Sequence, residues 1–268
     1  MKPVRHVLSL SGGKDSAALA IYMRDRVPDM EYIFSDTRKE LPETYQYLES
    51  IEDYLGKRVH RLNADLGFDH WYDVYGGMIP SNHRRWCTKM LKLKPFETHV
   101  GDDEVLNYVG LRADENRSGY ISHKANITPV YPFQEDGLRL PDIERILRDS
   151  GVGMPPYTKW GRTRSGCFFC FYQQKIEWVR LKETYPDLYE KAKDYEKPFE
   201  GSGNTFTWSE RESLSELEKP ARMQAIKDDH ERRRLARERR GDGLTLAEVF
   251  ADGDGEEPEG DACLICTL

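Results

Sequence analysis

The chain of 268 residues is long enough to bury a sizeable core, and it suits one α/β domain with an appended piece better than two full domains. Its formal net charge of −7 excludes a protein whose whole surface attracts nucleic acid, so any such contact must come from local basic patches. The amino terminus carries Lys2 and Arg5, but the apolar run that follows is too short for a signal peptide and no stretch is long enough to span a membrane; a cytoplasmic protein without membrane contact is expected.

In chain order, strand-like runs alternate with helical ones: a strand over Val4 to Ser11, a helix from Ser16, a strand over Glu31 to Ser35, a helix over Pro42 to Leu55 and a strand over Arg58 to Asn63. This βαβαβ order predicts an α/β fold, a parallel twisted sheet with helices on both faces and ligands at the carboxyl ends of the strands. Further strands are expected at Val105 to Val109 and Ile127 to Tyr131, and helices at Pro141 to Asp149, Lys175 to Lys182 and Leu188 to Lys193. From Lys219 to Arg240 the pattern is a charged helix, and residues 252–261 hold six acidic residues with several glycines and a proline, the composition of a flexible tether. The plan is a first domain over residues 1–200, a C-terminal helical extension over 201–250 and an acidic tail over 251–268.

The segment Leu10-Ser11-Gly12-Gly13-Lys14-Asp15-Ser16 lies between the first strand and the helical pattern Ala17-Ala18-Leu19-Ala20-Ile21. Glycines let backbone N–H groups turn toward an anion, a helix start adds unpaired donors, and Lys14 adds a full positive charge. The spacing is not G-x-x-x-x-G-K-[ST], which excludes the common nucleotide-triphosphatase loop. A plain strand-to-helix turn with an aspartate cap is the alternative. The segment resembles the SGGxDS loop of the N-type ATP pyrophosphatases, the PP-loop superfamily that includes sulfonucleotide reductases such as phosphoadenosine phosphosulfate reductase, tRNA-thiolating enzymes and the ATP pyrophosphatases of DNA phosphorothioation. That resemblance implies an adenine nucleotide alpha hydrolase-like fold, a loop holding the β and γ phosphates, and chemistry at the α phosphate with ATP and Mg²⁺.

Two further segments carry the resemblance. Asp36-Thr37-Arg38-Lys39-Glu40-Leu41-Pro42-Glu43-Thr44 is similar to the family's D-T-G-x-x-x-P-E-T, with Arg38 where glycine is common. Pro42 and Glu43 also suit a helix start for purely structural reasons, and Asp36 is either a cap or a contact to adenosine or Mg²⁺. Gly110-Leu111-Arg112-Ala113-Asp114-Glu115-Asn116-Arg117 resembles G-x-R-x-x-E/Q-x-x-R, with the second arginine one position early. Arginines beside acids at a strand end suit a phosphoryl group on which charge develops. The resemblance implies that Ser11, Lys14, Asp15, Ser16, Arg112, Glu115 and Arg117 act in catalysis. It further implies that Leu10, Ser11, Gly12, Gly13, Lys14, Asp15, Ser16, Asp36, Gly110 and Arg112 bind the nucleotide.

Five cysteines fall as Cys87 alone and two C-x-x-C pairs, Cys167/Cys170 and Cys263/Cys266. In a reducing compartment this favours metal or sulfur chemistry over structural disulfides. The spacing of Cys87, Cys167 and Cys170 resembles that of the iron–sulfur sulfonucleotide reductases, with Thr88 in place of the second cysteine. It implies a four-iron four-sulfur cluster on these three residues, with zinc as the alternative and buried or redox thiols as the plain one. Cys263 and Cys266, on the acidic arm, are a sulfur carrier, a source of a fourth ligand, or bystanders.

Arg84, Arg85, Lys89, Lys92, Lys94, Lys159, Arg162 and Arg164 flank the first cysteines together with Trp86 and Trp160, a composition suited to a nucleic-acid backbone or a small anionic sulfonucleotide. The arginine run from Arg232 to Arg240 reads instead as a solvated helix face. The chain ends Asp261-Ala262-Cys263-Leu264-Ile265-Cys266-Thr267-Leu268, without the Glu-Cys-Gly-Leu/Ile-His type motif of the sulfonucleotide reductases. The expected activity is therefore ATP cleavage to AMP and pyrophosphate that activates a DNA backbone phosphate for sulfur incorporation, a system associated with phage defence. Its partners would be a cysteine desulfurase as sulfur donor, DNA and other phosphorothioation subunits, with a homo-oligomer left open. A sulfonucleotide reductase, a tRNA thiolase and a non-catalytic nucleotide-binding subunit are the alternatives.

Overall fold

The computed structural model of the chain describes residues 3–63, 66–115, 124–197, 205–209 and 212–240. In chain order the first elements are β1 (Arg5–Ser9), α1 (Lys14–Met23), β2 (Glu31–Asp36), α2 (Pro42–Leu55) and β3 (Val59–Asn63). Then come α3 (Phe68–Val74), α4 (Trp86–Thr88), a π-helical turn (Lys89–Leu93), α5 (Lys94–Val100), β4 (Val105–Tyr108) and β5 (Ile127–Val130). They are followed by α6 (Pro132–Glu135), α7 (Leu140–Asp149) and a 3₁₀ turn (Pro156–Trp160).

The five strands form one parallel sheet in the order β3-β2-β1-β4-β5. Successive side chains of a strand point to opposite faces, and here both faces are buried. Leu8, Leu10, Tyr32, Phe34 and Tyr108 pack with Ala17 and Leu19 of α1, Leu48 and Ile51 of α2, and Ile143 and Leu147 of α7. On the other face Val7, Ile33, Val105 and Ile127 pack with Phe96 and Val100 of α5. The expected α/β architecture is thus present, and because β1 is central, the turn that follows it lies at the middle of the sheet's carboxyl edge.

Local chemistry sets the helix limits. Pro42 opens α2 with its fixed φ, Glu43 stands in the first turn where it complements the helix dipole, and Gly56 ends it in the left-handed region at φ 63°. The sequence reading placed no helix between residues 64 and 100, where the structure has α3 and a continuous helical run from Trp86 to Val100. The buried apolar side chains of that run, Trp86, Leu91, Phe96 and Val100, are spaced five, five and four residues apart. The π-helical turn absorbs the extra residues, and a search for a 3.6-residue period passes over them.

The chain divides into two compact units between Phe168 and Phe169, earlier than the boundary at residue 200 that the sequence plan contains. The second unit is helical, with α8 (Lys175–Thr184), α9 (Pro186–Lys193), α10 (Leu214–Leu217) and α11 (Pro220–Arg240). Its core is aromatic: Trp208 stacks on Phe169 with centroids 4.8 Å apart and donates from Nε1 to the Ala192 carbonyl at 2.9 Å. Tyr189, buried beside Trp178, donates its hydroxyl to the Leu214 carbonyl at 2.8 Å. The acidic tail with Cys263 and Cys266 lies outside the described residues. Among the described residues no helix is long and apolar enough to cross a membrane.

At the amino-terminal edge of the sheet Arg5 donates to both oxygens of Glu31, at 2.7 and 2.8 Å, and His99 Nε2 stands 3.2 Å from the same carboxylate. The Arg5 hydrogen bond holds the Glu31 carboxyl below its ordinary pKa, against the opposing effect of partial burial and with help from His99. A carboxyl lowered in the folded state contributes stability that is complete above its unfolded pKa, about 4.3, and is lost as pH falls through the folded value. Urea denaturation between about pH 7 and pH 3 should therefore show a steeper acid loss of stability for the parent than for Glu31→Gln. Parallel curves would show that this pair contributes nothing.

Candidate functional site

The turn between β1 and α1 is built from hydroxyl groups. Ser11 N donates to Ser16 Oγ at 3.1 Å, the two hydroxyls stand 3.1 Å apart, and Gly13 N donates to Ser11 Oγ at 3.3 Å. Ser16 Oγ in turn donates to the Gly13 carbonyl at 3.1 Å. Gly13 takes the first position before α1 with no side-chain cap, so the helix start keeps amide donors for another acceptor. Leu10 is buried and anchors the turn by donating its N–H to the Ile33 carbonyl at 2.7 Å. Lys14 lies 3.8 Å from Asp15, so its ammonium is held beside the turn.

Gly12 is favoured by conformation, and Gly12, Gly13 and Gly110 all stand close to neighbouring segments. Gly12 has φ 71°, and a Cβ on it would meet Thr44 Cγ2 of α2 at 2.6 Å. Gly13 has an ordinary φ of −94°, yet a Cβ on it would meet Ser165 Oγ at 2.9 Å. Gly110 lets the end of β4 approach the Asp15 carbonyl, which a Cβ would meet at 3.0 Å. Three segments distant in sequence therefore close on one turn. Ser165 is a residue that the sequence reading did not single out; the one signal for it is its place two residues before Cys167.

Arg112, in the loop after β4, is the charge centre of the site. Its Nη1 donates to Asp15 Oδ1 at 2.8 Å and its Nε to Asp114 Oδ1 at 2.9 Å, with Glu115 Oε1 3.5 Å from Nη2. Burial works to lower the Arg112 pKa, but the charge of Asp15, the hydrogen bond to it and the two further carboxylates outweigh this and hold the guanidinium above its ordinary value. Glu115 also accepts from the Arg112 backbone N–H at 3.0 Å, which fixes the loop. The structure thus brings Ser11, Gly12, Gly13, Lys14, Asp15, Ser16, Gly110, Arg112 and Glu115 to one strand edge. Arg117 lies outside the described residues.

Asp36, at the end of the adjacent β2, accepts from the Arg38 N–H and from the Tyr45 hydroxyl, both at 2.8 Å. Arg38 has φ 59°, the left-handed conformation that glycine favours, so the backbone shape expected of a glycine is kept at a cost of about 1 kcal/mol. Burial first, then the bond to Asp36, pushes the Tyr45 hydroxyl well above its usual pKa and keeps it a neutral donor.

Beyond Asp36, Thr37 donates to Glu40 Oε1 at 2.8 Å, and Cys167 Sγ lies 3.1 Å from Thr37 Oγ1. Burial pushes the Glu40 carboxyl above the usual range, partly offset by the charges of Lys92 and Arg162 and by the Thr37 bond. Phe168 N donates to the Lys39 carbonyl at 2.8 Å, and Trp160 Nε1 donates to Glu43 Oε1 at 2.7 Å. Residues 160–168 are therefore a strap bonded to both strand-end segments of this edge.

Cys87 is half-buried on α4 next to buried Thr88, Cys167 is bonded as above, and Cys170 belongs to the second unit, where its carbonyl accepts from Gln173 N at 3.0 Å. Among the described residues no group of three or more His, Cys, Asp or Glu side chains stands together as a metal ion requires. Cys87 and Cys167 belong to the first unit and Cys170 to the second, Cys263 and Cys266 lie outside the described residues, and no chemistry below is routed through a metal centre.

Residues 5–130, which contain the β1–α1 turn, Asp36 and the Arg112 loop, match the model of the phosphoadenosine phosphosulfate reductase domain. An uncharacterized protein of Methanocaldococcus jannaschii is 30% identical over 204 residues, covering 71% of this chain and 40% of that protein. An adenosine 5'-phosphosulfate reductase of Staphylococcus haemolyticus is 29% identical over 111 residues, covering 41% of this chain and 45% of the reductase. The chain spans less than half the length of both these relatives. A crystal structure of phosphoadenylyl-sulfate reductase from Candida auris in a phosphate complex aligns with a TM-score of 0.48 and 14% identity, covering 62% of this chain and 82% of that one.

The close approach at Gly12 gives a stability prediction. Gly12→Ala must accept both a left-handed φ and the overlap with Thr44, and should lower unfolding free energy by about 1 to 3 kcal/mol in urea titrations. An unchanged midpoint would mean that the turn is not packed as described.

Proposed function

We propose that this chain binds ATP at the β1–α1 turn and cleaves it between the α and β phosphates, passing the adenylyl group to an acceptor oxygen that is later replaced by sulfur. The observation that carries this reading is the pairing of a hydroxyl- and amide-lined turn with Arg112 directly across from it, bonded to Asp15. Hydroxyls, helix-start amides and Lys14 suit the departing pyrophosphate. Arg112 is a cation held in place before any substrate arrives, which is the arrangement that stabilises developing phosphate charge most effectively. In the first step the acceptor oxygen bonds to the α phosphorus as the bond to the bridging oxygen breaks and pyrophosphate leaves. In the second a sulfur nucleophile displaces AMP. Mg²⁺ bound with the nucleotide would be held largely by the phosphates and would offset their charge.

The acceptor we favour is a nucleic-acid backbone, as in DNA phosphorothioation, with sulfur supplied by a cysteine desulfurase and other subunits of such a system as partners. Supporting it, residues 81–94 contain Arg84, Arg85, Lys89, Lys92 and Lys94 and no Asp or Glu, within a chain of net charge −7. Arg84, Arg85, Lys89 and Lys94 are exposed; Lys94 Nζ lies 5.9 Å from the Trp71 ring centroid, and Tyr75 stacks on Trp86 at 5.3 Å. Cations beside aromatic rings suit a phosphodiester strand. Reduction of a sulfonucleotide is the second reading, favoured by the domain match over residues 5–130.

Product analysis separates these readings. With Mg²⁺ and ATP, alone and with DNA, the protein should form AMP and pyrophosphate; ADP and phosphate as main products would end the proposal. Sulfite release from a sulfonucleotide in the presence of a dithiol would select the reductase. Ser11→Ala, Asp15→Ala and Ser16→Ala should each lower kcat/KM by about tenfold or more, and parent activity in all three would move the site elsewhere.

A further inference from the structure

A segment far from the nucleotide motifs in sequence meets the turn between β1 and α1. Ser165 Oγ donates to Ser11 Oγ at 3.4 Å, so three hydroxyls form a chain from Ser165 through Ser11 to Ser16, which ends on the Gly13 carbonyl. Each hydroxyl has one proton to give. Ser16 uses its own on Gly13, which leaves Ser11 to donate to Ser16 and Ser165 to donate to Ser11. Ser165 is the outermost member, and its bond, the longest of the set, is the one most readily given up to a stronger acceptor.

Gly13 supports this assignment independently. Its φ of −94° is open to any residue, so conformation alone does not call for glycine there. A Cβ there would stand 2.9 Å from Ser165 Oγ and 3.2 Å from Ser11 Oγ, so one of the two hydroxyls would have to turn away. The second glycine of the turn therefore makes room for the strap hydroxyl.

The strap is also held rigidly enough to position that hydroxyl. The Arg162 guanidinium, 2% exposed, donates from Nη2 to the Gly166 and Cys167 carbonyls at 3.2 and 2.7 Å. Its Nε and Nη1 are buried with no hydrogen-bond partner among the described residues. On the far side of Ser165 the peptide bends through Gly166, at φ 126°, into the bonds that join Cys167 and Phe168 to Thr37 and Lys39. Ser165 thus sits between two fixed points, at a distance where a phosphate oxygen bound by Ser11 would also fall within its reach.

We propose that Ser165 is a further phosphate-binding residue of this site: its hydroxyl turns from Ser11 to a phosphate oxygen of the nucleotide, and Arg162 is the positioning residue that holds the strap for it. The proposal rests on the reading that the β1–α1 turn takes nucleotide phosphates, and it adds a third wall to that turn from residues 162–168.

Isothermal titration of the full chain with ATP and with pyrophosphate tests it, using the parent, Ser11→Ala, Ser165→Ala and Ser165→Thr. A hydrogen bond to a charged group implies that Ser165→Ala weakens both ligands about tenfold or more with Tm unchanged, while Ser165→Thr, which keeps the hydroxyl, stays close to the parent. Ser165→Cys, similar in size but a weak donor, should weaken binding in the same direction and gives the reading if the alanine variant folds poorly. Parent affinity in Ser165→Ala or Ser165→Cys, with weakening in Ser11→Ala, overturns the role of Ser165 and leaves the turn as the phosphate site. Equal weakening in Ser165→Ala and Ser165→Thr also overturns it, because the hydroxyl is then not what matters. Absence of ATP and pyrophosphate binding in the parent removes the phosphate-turn reading and this proposal with it.

Discussion

Everything at the carboxyl edge of the sheet depends on one steric constraint, the lack of side-chain bulk on the turn after β1. Thr44 from α2 and Ser165 from the strap stand where a Cβ on Gly12 or Gly13 would meet them, and Gly110, after β4, lies where a Cβ would press on the Asp15 carbonyl at 3.0 Å. The close approach places the hydroxyls of Ser11, Ser16 and Ser165 next to the amide donors at the start of α1. A single methyl group at any of the three glycines pushes one wall outward. The requirement is therefore a shared one: these glycines are a volume kept clear for the segments around them.

Charge at the site is arranged with a similar economy. Arg112 has three carboxylates around it, from Asp15, Asp114 and Glu115, so without ligand the cluster is net negative and its cation is already engaged. Asp15 follows Lys14 in the chain and links the Arg112 loop to the start of α1 through one ion pair. A phosphate arriving at the turn would meet Lys14 and the helix start first and compete with Asp15 for Arg112. Such binding would be coupled to the position of the loop that follows β4.

The parts of this arrangement that are contiguous in sequence were legible there. Strand β1, the glycine pair, the helix after it and the proline that opens α2 announce themselves by residue type, and so does the loop of Arg112. The parts assembled by the fold were not. Ser165 reads as an ordinary serine until β1 and the strap are seen side by side, and the Trp86 to Val100 helices are concealed by the π-helical turn. Arg38 is instructive in the other direction: a residue that departs from the expected glycine nevertheless adopts glycine's conformation, because Asp36 accepts its backbone N–H and holds the bend.

The strand order also has a meaning for how the chain is made. β1 leads the sequence but lies at the centre of the sheet, paired on one side with β2 and on the other with β4, where Arg5 stands opposite Val105. About a hundred residues must leave the ribosome before that second side is filled, a delay of several seconds at ordinary rates of translation. Until then the nascent chain carries an open, apolar strand edge immediately before the very turn on which its chemistry is proposed to depend. The segment exposed to mispairing during synthesis is thus the central strand of the finished sheet.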